Sequence, residues 1–188
     1  MKALTVTIII QLTVGVALLI PIAGYSDQSN ARLDALFTTL KTSKSAVVLK
    51  ETEADIWAIW FDSGREEIDN LMKKAGIAVQ SSQLSQAEKL YSQVVEMAPQ
   101  FSEGWNRRAT VRYYRNDYSG SLADIQQTLA LEPRHFGAIW GLGMILGWER
   151  DFSGAITAFE QLLEIKPNAS DAKPRIEILK QELTKSSI

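Results

Sequence analysis

The chain has 188 residues, a formal net charge of −2 at pH 7, and 46% hydrophobic and 22% charged residues. That composition excludes wholesale disorder, and the near-neutral balance supplies no global field for attracting nucleic acid, so no nucleic-acid partner is expected. The absence of cysteine excludes both a disulfide framework and a lipidated Cys tether.

In chain order, residues 1–26 stand apart. Lys2 is the only charge before Asp27, the stretch LTVTIIIQLTVGVALLI (4–20) is almost wholly apolar, and Pro21 is followed by the small residues Ala23, Gly24 and Ser26. A basic start, an apolar stretch and a small-residue exit read as a secretory signal peptide, with cleavage expected after Gly24 or Ser26. The alternative is an uncleaved anchor, because the apolar run is only slightly short of a spanning helix. Pro21 breaks the helix there and favours cleavage. The expected location is therefore periplasmic or secreted, with a membrane role only if the segment is kept as an inner-membrane tether. Residues 27–31 read as a short polar tether.

Residues 27–67 then predict a helical pair acting as an N-terminal cap. Leu33, Leu36, Phe37 and Leu40 share one helical stripe. A second helix is expected from about Ser45 to Phe61, stopped by Ser63 and Gly64. Its dense IWAIWF stretch (56–61) is expected to pack onto the first repeat.

From here the chain repeats itself. QLSQAEKLYSQVVEMAP (83–99), DYSGSLADIQQTLALEP (117–133) and DFSGAITAFEQLLEIKP (151–167) lie 34 residues apart. Each carries Ser at its third place (Ser85, Ser119, Ser153), a small residue two places on (Ala87, Ser121, Ala155), a large apolar residue four further (Tyr91, Ile125, Phe159) and a closing proline (Pro99, Pro133, Pro167). The serines are read as helix N-caps, and Ser85 with Glu88 as a capping box. Each such helix is preceded by another, EEIDNLMKKAGIAVQ, SEGWNRRATVRYYRN and FGAIWGLGMILGWER, with small residues at Ala75, Ala109 and Gly143. A helix–turn–helix period with small residues at facing places is a hairpin whose apolar side only a neighbouring hairpin can cover. Residues 170–184 add an amphipathic helix with Ile176, Leu179 and Leu183 inward, and Pro174 is tolerable in its first turn.

This pattern resembles the tetratricopeptide repeat (TPR) family. Trp105, Ala109 and Pro133 match its signature in the second repeat. Leu142, Gly143, Ala155, Phe159 and Pro167 match in the third, and Leu71, Ala75, Ala87, Tyr91 and Pro99 in the first. Arg108 and Arg112 occupy places usually apolar, and Ser121 replaces Ala. The strings PQFSEGWNRRATVRYY and LALEPRHFGAIWGLG are further similar to small exported bacterial TPR proteins. The resemblance implies an all-α, right-handed solenoid with repeats at 68–101, 102–135 and 136–169 and a C-terminal capping helix in 170–188. It also implies a non-catalytic scaffold that binds a protein or peptide segment in a concave groove lined by the first helices.

Mapped onto this chain, the family's groove positions fall on Asp69, Met72, Gly76 and Val79, on Glu103, Asn106, Thr110 and Tyr113, and on Gly137, Trp140, Met144 and Gly147, with Trp148 one place further. The candidate ligand-binding set is Asn106, Arg107, Thr110, Tyr113, Trp140, Met144 and Trp148: polar at the centre, aromatic towards one end. Packing against the C-terminal cap is the rival role for Trp140 and Trp148.

Arg108, Arg112 and Arg115 recur at helical spacing, so any buried member needs a carboxylate, with Asp124, Glu132 and Glu96 as candidates. The sharper alternative is an anion site helped by Arg107 and Arg134. On this reading Arg107 serves ligand rather than stability. His135, the single histidine, is expected to hydrogen-bond across the turn between repeats. No ligand set for a metal, no nucleophile elbow and no phosphate-binding glycine loop appears, so no metal, cofactor or catalytic residue is expected. An accessory subunit of a cell-envelope enzyme is the remaining alternative.

Overall fold

A computed structural model describes residues 30–186. The proposed signal or anchor segment and most of the tether lie outside these residues. The described residues form nine α-helices and no strand. They are α1 (Arg32–Thr42), α2 (Ala46–Phe61), α3 (Glu66–Gln80), α4 (Leu84–Met97), α5 (Ser102–Tyr114), α6 (Tyr118–Leu131), α7 (Phe136–Trp148), α8 (Phe152–Ile165) and α9 (Ala172–Ser186). Helices α3/α4, α5/α6 and α7/α8 are antiparallel hairpins, and each second helix packs on the first helix of the next, with α9 covering α8. The all-α repeat architecture is a stacked solenoid.

The small residues set the hairpin crossings. Ala75 and Ala87 are fully buried between α3 and α4, and Ala109 is buried where α5 meets α6 and α7. At the equivalent place in the third hairpin, a Cβ on Gly143 would stand 2.8 Å from the Phe159 ring. Ser121, where the pattern favours Ala, is accommodated because its Oγ donates to the Ala109 carbonyl at 2.8 Å. The turns inside the hairpins also repeat: Ser82, Asn116 and Arg150 all adopt positive φ, 58°, 62° and 64°.

The expected serine caps are corrected. Helices α4, α6 and α8 start one residue earlier, so Ser85, Ser119 and Ser153 lie inside the first turn. Asp117 and Asp151 cap instead, accepting from the backbone N–H of Gly120 at 3.0 Å and Gly154 at 2.9 Å. Carboxylate caps also complement the positive end of the helix dipole. Each glycine leaves the space its cap needs, since a Cβ there would lie 2.2 Å and 2.4 Å from the aspartate oxygen. Glu88 is not half of a capping box either, because it is drawn to Arg112 and Arg115.

A second correction concerns the N-terminal pair. Both helices form as expected, and Ser45 caps α2 by accepting from the Val48 N–H. The pair does not stack on the first repeat. After α2 the chain reverses at Gly64 (φ 68°), pinned by Asp62 on the Gly64 N–H and by Ser63 donating to Asp69. Helix α2 consequently meets α5, and α1 meets α8. Leu33, Leu40, Ile56 and Trp60 share one core with Phe136, Ile139, Phe159, Leu162 and Ile176. The physical reason is aromatic matching: Trp57 and Trp60 face His135 and Phe136 at the start of α7. Two ion pairs tie the same edge, Arg134 to Asp34 at 2.6 Å and Lys166 to Glu53 at 2.5 Å.

Candidate functional site

Helices α5 and α7 lie side by side and leave a cavity of about 280 Å³ between them. Asn106, Thr110 and Tyr113 recur on α5 at helical spacing, and Trp140 and Met144 lie one turn apart on α7, so all five line this cavity. Its floor is Ala109, Ile125 and Ile145, buried residues of the α5–α7 core. Gly137 and Gly141 keep the α7 wall low. Tyr114 and the second-helix residues Ser121 and Ile125 were missed by sequence reasoning. Groove positions point to first helices only, whereas the gap between two of them exposes the helix behind.

Two candidates fall elsewhere. Arg107 donates from Nε to Glu103 at 2.5 Å, and its guanidinium lies 4.4 Å from the Phe61 ring centroid and 5.6 Å from that of Trp57. It fastens α2 to α5, so Arg107 has a packing role that the ligand role expected of it did not include. Trp148, 65% exposed, stacks over Tyr118 at 6.5 Å and borders a different cavity. Trp140 touches both themes, lining the α5–α7 cavity while packing edge-on against Phe159 at 5.2 Å.

The N-terminal end of the groove is occupied by the chain itself. Groove positions Glu103 and Asn106 are buried, and Trp57 packs so close to Gly137 that a Cβ there would lie 2.9 Å from the indole. Glu103 is the hub. It accepts from Asn106 Nδ2 at 2.9 Å and from Arg107, and its Oε2 lies 2.9 Å from His135 Nε2. His135 caps α7, its Nδ1 accepting from the Ala138 N–H at 3.1 Å, so Nε2 carries the hydrogen donated to Glu103. Burial by itself pushes the Glu103 carboxyl up. The hydrogen bond from His135 and the charge of Arg107 outweigh it and hold the group below its ordinary value of 4.5. His135 therefore does bond across repeats, from the turn before α7 to the start of α5.

The arginine stripe resolves into structural pairs. Asp124, buried on α6, receives a bidentate pair from Arg108 at 2.7 and 2.8 Å and a third bond from Arg112 at 3.0 Å. Arg112 also reaches Glu88 at 3.1 Å. Glu132, another proposed partner, instead holds Arg134. With Arg107 on Glu103 and Arg134 shared between Glu132 and Asp34, both helpers of the proposed anion site are already neutralised. Among the described residues no group of three or more His, Asp or Glu side chains is arranged to hold a metal ion.

Hairpins stacked at a 34-residue period, with small residues at the crossings and a cavity between successive first helices, define a helical-repeat solenoid. The chain belongs to the tetratricopeptide repeat family: it is 32% identical to a TPR repeat-containing protein of Rhizobium etli over 158 residues, covering 84% of this chain and 78% of that one. No family model matches it. Among solved structures, the Sgt2 TPR domain from Aspergillus fumigatus superposes with a TM-score of 0.61 at 22% identity, covering 65% of this chain and 83% of that domain. The first TPR of Spaghetti bound to the HSP90 peptide SRMEEVD gives 0.60 at 18% identity, covering 62% and 93%. At these identities the two structures share the fold.

Proposed function

We propose that the chain is a non-catalytic scaffold that holds an extended protein segment by one apolar side chain, seated between α5 and α7. The observation that carries this reading is the cavity itself: five groove residues, Asn106, Thr110, Tyr113, Trp140 and Met144, converge on one opening with an apolar floor. A cavity of this kind gives an anchor residue a desolvated seat, while Thr110 and Tyr113 offer polar groups to a passing backbone. Asn106 is less free than its position suggests, because one of its donors is committed to Glu103. The peptide-bound Spaghetti domain supports the general role and not the ligand. Its peptide is acidic, whereas here no Lys or Arg lines the α5–α7 cavity. The proposed partner segment is thus apolar at its anchor and not an acidic terminus.

The reading places this scaffold in the periplasm, on the strength of the N-terminal sequence alone. The mass of the mature chain tests that part: loss of the residues through Gly24 or Ser26 supports export, and retention supports the membrane-tethered alternative. For the site, a photoreactive methionine analogue at position 144 should cross-link a protein partner in cells. Tyr113→Ala with Thr110→Ala should remove that product while helicity is kept. An unchanged cross-link in the double variant would move the site elsewhere.

A further inference from the structure

A second cavity, of about 470 Å³, opens between α7, the start of α8 and α9. Its volume falls within the range of small-molecule sites, about 300–1,000 Å³. The wall is apolar, with Met144, Trp148, Phe152, Ile178 and Leu179, and Trp148 and Ile178 are 65% and 59% exposed. They are two of the eight large hydrophobic side chains exposed among the described residues, and both border this cavity.

The arginines single this cavity out. The chain has nine, all within the described residues. Seven are paired with carboxylates: Arg32, Arg65, Arg107, Arg108, Arg112, Arg115 and Arg134. Arg150 and Arg175 make no ion pair among the described residues, and both line this one cavity. Each is held by a ring instead, Arg150 5.3 Å from the Phe152 centroid and Arg175 4.9 Å from that of Trp140. The carboxylate on the rim, Glu182, is bonded by Lys185 at 2.7 Å and feels the charge of Arg150 only at longer range, without an ion pair. Two positioned guanidiniums over an apolar pocket match a ligand with a greasy body and an anionic head.

We propose that the α7–α9 cavity binds a small amphipathic carboxylate, with its chain against Trp148, Ile178 and Leu179 and its head between Arg150 and Arg175. The site takes a different ligand from the α5–α7 cavity and adjoins it, Met144 bordering both and Trp140 carrying Arg175 from the far side. Calorimetric titration of the full chain with decanoate, decanol and decylammonium separates the head from the tail. Decanoate should bind roughly tenfold tighter than decanol, and decylammonium more weakly than either. In the Arg150→Gln, Arg175→Gln double variant the preference for decanoate over decanol should vanish while decanol binding stays. Trp148→Ala should weaken both, and circular dichroism should report unchanged helicity in every variant. Equal binding of decanoate and decanol by the unaltered protein, no binding of either, or a double variant that keeps its preference would overturn the assignment.

Discussion

The imidazole of His135 lies flat on the indole of Trp60, ring centroids 4.1 Å apart and planes within 10°. One ring belongs to the N-terminal hairpin and the other to the cap of α7, 75 positions further along the chain. Behind the stack, His135 hydrogen-bonds Glu103 on α5. The N-terminal pair is thereby locked across the starts of α5 and α7, and it shortens the groove to the part beyond Asn106.

Removing that lock should cost the whole domain stability. Trp60 is fully buried, so Trp60→Ala should lower the unfolding free energy by about 3–5 kcal/mol, measured by urea denaturation. A loss below about 1 kcal/mol would show α1–α2 to be a peripheral attachment.

Glu103 gives the lock a pH dependence with a definite sign. Its carboxyl is held below the ordinary value in the folded chain, so the stabilisation is present above that value and is lost as pH falls through the folded one. Between about pH 6 and about pH 3 the melting temperature should fall less steeply in Glu103→Gln than in the unaltered protein. Parallel curves would mean that Glu103 titrates as it does in the unfolded chain.

The two adjacent arginines of α5 should behave alike in direction. Arg108→Ala leaves Asp124 buried with Arg112 as its remaining cation, at a cost of about 3 kcal/mol. Arg107→Gln removes a charge-assisted bond to Glu103, at about 1–2 kcal/mol. A combined Arg108→Met, Asp124→Leu variant should recover most of its loss, because the desolvation penalty goes with the pair. Chemical denaturation of the three variants decides.

Gly143 marks the tightest crossing. Gly143→Ala would drive a methyl into the Phe159 ring and should cost about 1–3 kcal/mol despite the better helix propensity of alanine. Gly76→Ala, where a Cβ meets nothing within 4 Å, should be neutral or stabilising. Thermal melts showing the two substitutions equal would contradict the close packing described for the third hairpin.

Much of this protein is legible in one dimension because a repeat encodes contacts at fixed offsets. The 34-residue period, the small residues Ala75, Ala109 and Gly143, and the apolar stripes of α1 and α9 determine the helices and the stacking of the hairpins, since each contact is local or one period away. The same logic brought Asn106, Thr110, Tyr113, Trp140 and Met144 to one cavity. It failed where an interaction ignores the period. Ser119 and Ser153 looked like caps, but an aspartate two places earlier, Asp117 or Asp151, takes the N–H group and adds a favourable charge; Ser85 has Gln83 there and lies inside the first turn of a helix with no side-chain cap. Only the tertiary structure decided that IWAIWF would fold back onto His135 and Phe136, that Arg107 would pair with Glu103, and that Arg150 and Arg175 would rest on rings with no ion pair among the described residues. Long-range pairing depends on where a chain reverses and which buried groups need satisfying, and neither is written at any fixed spacing.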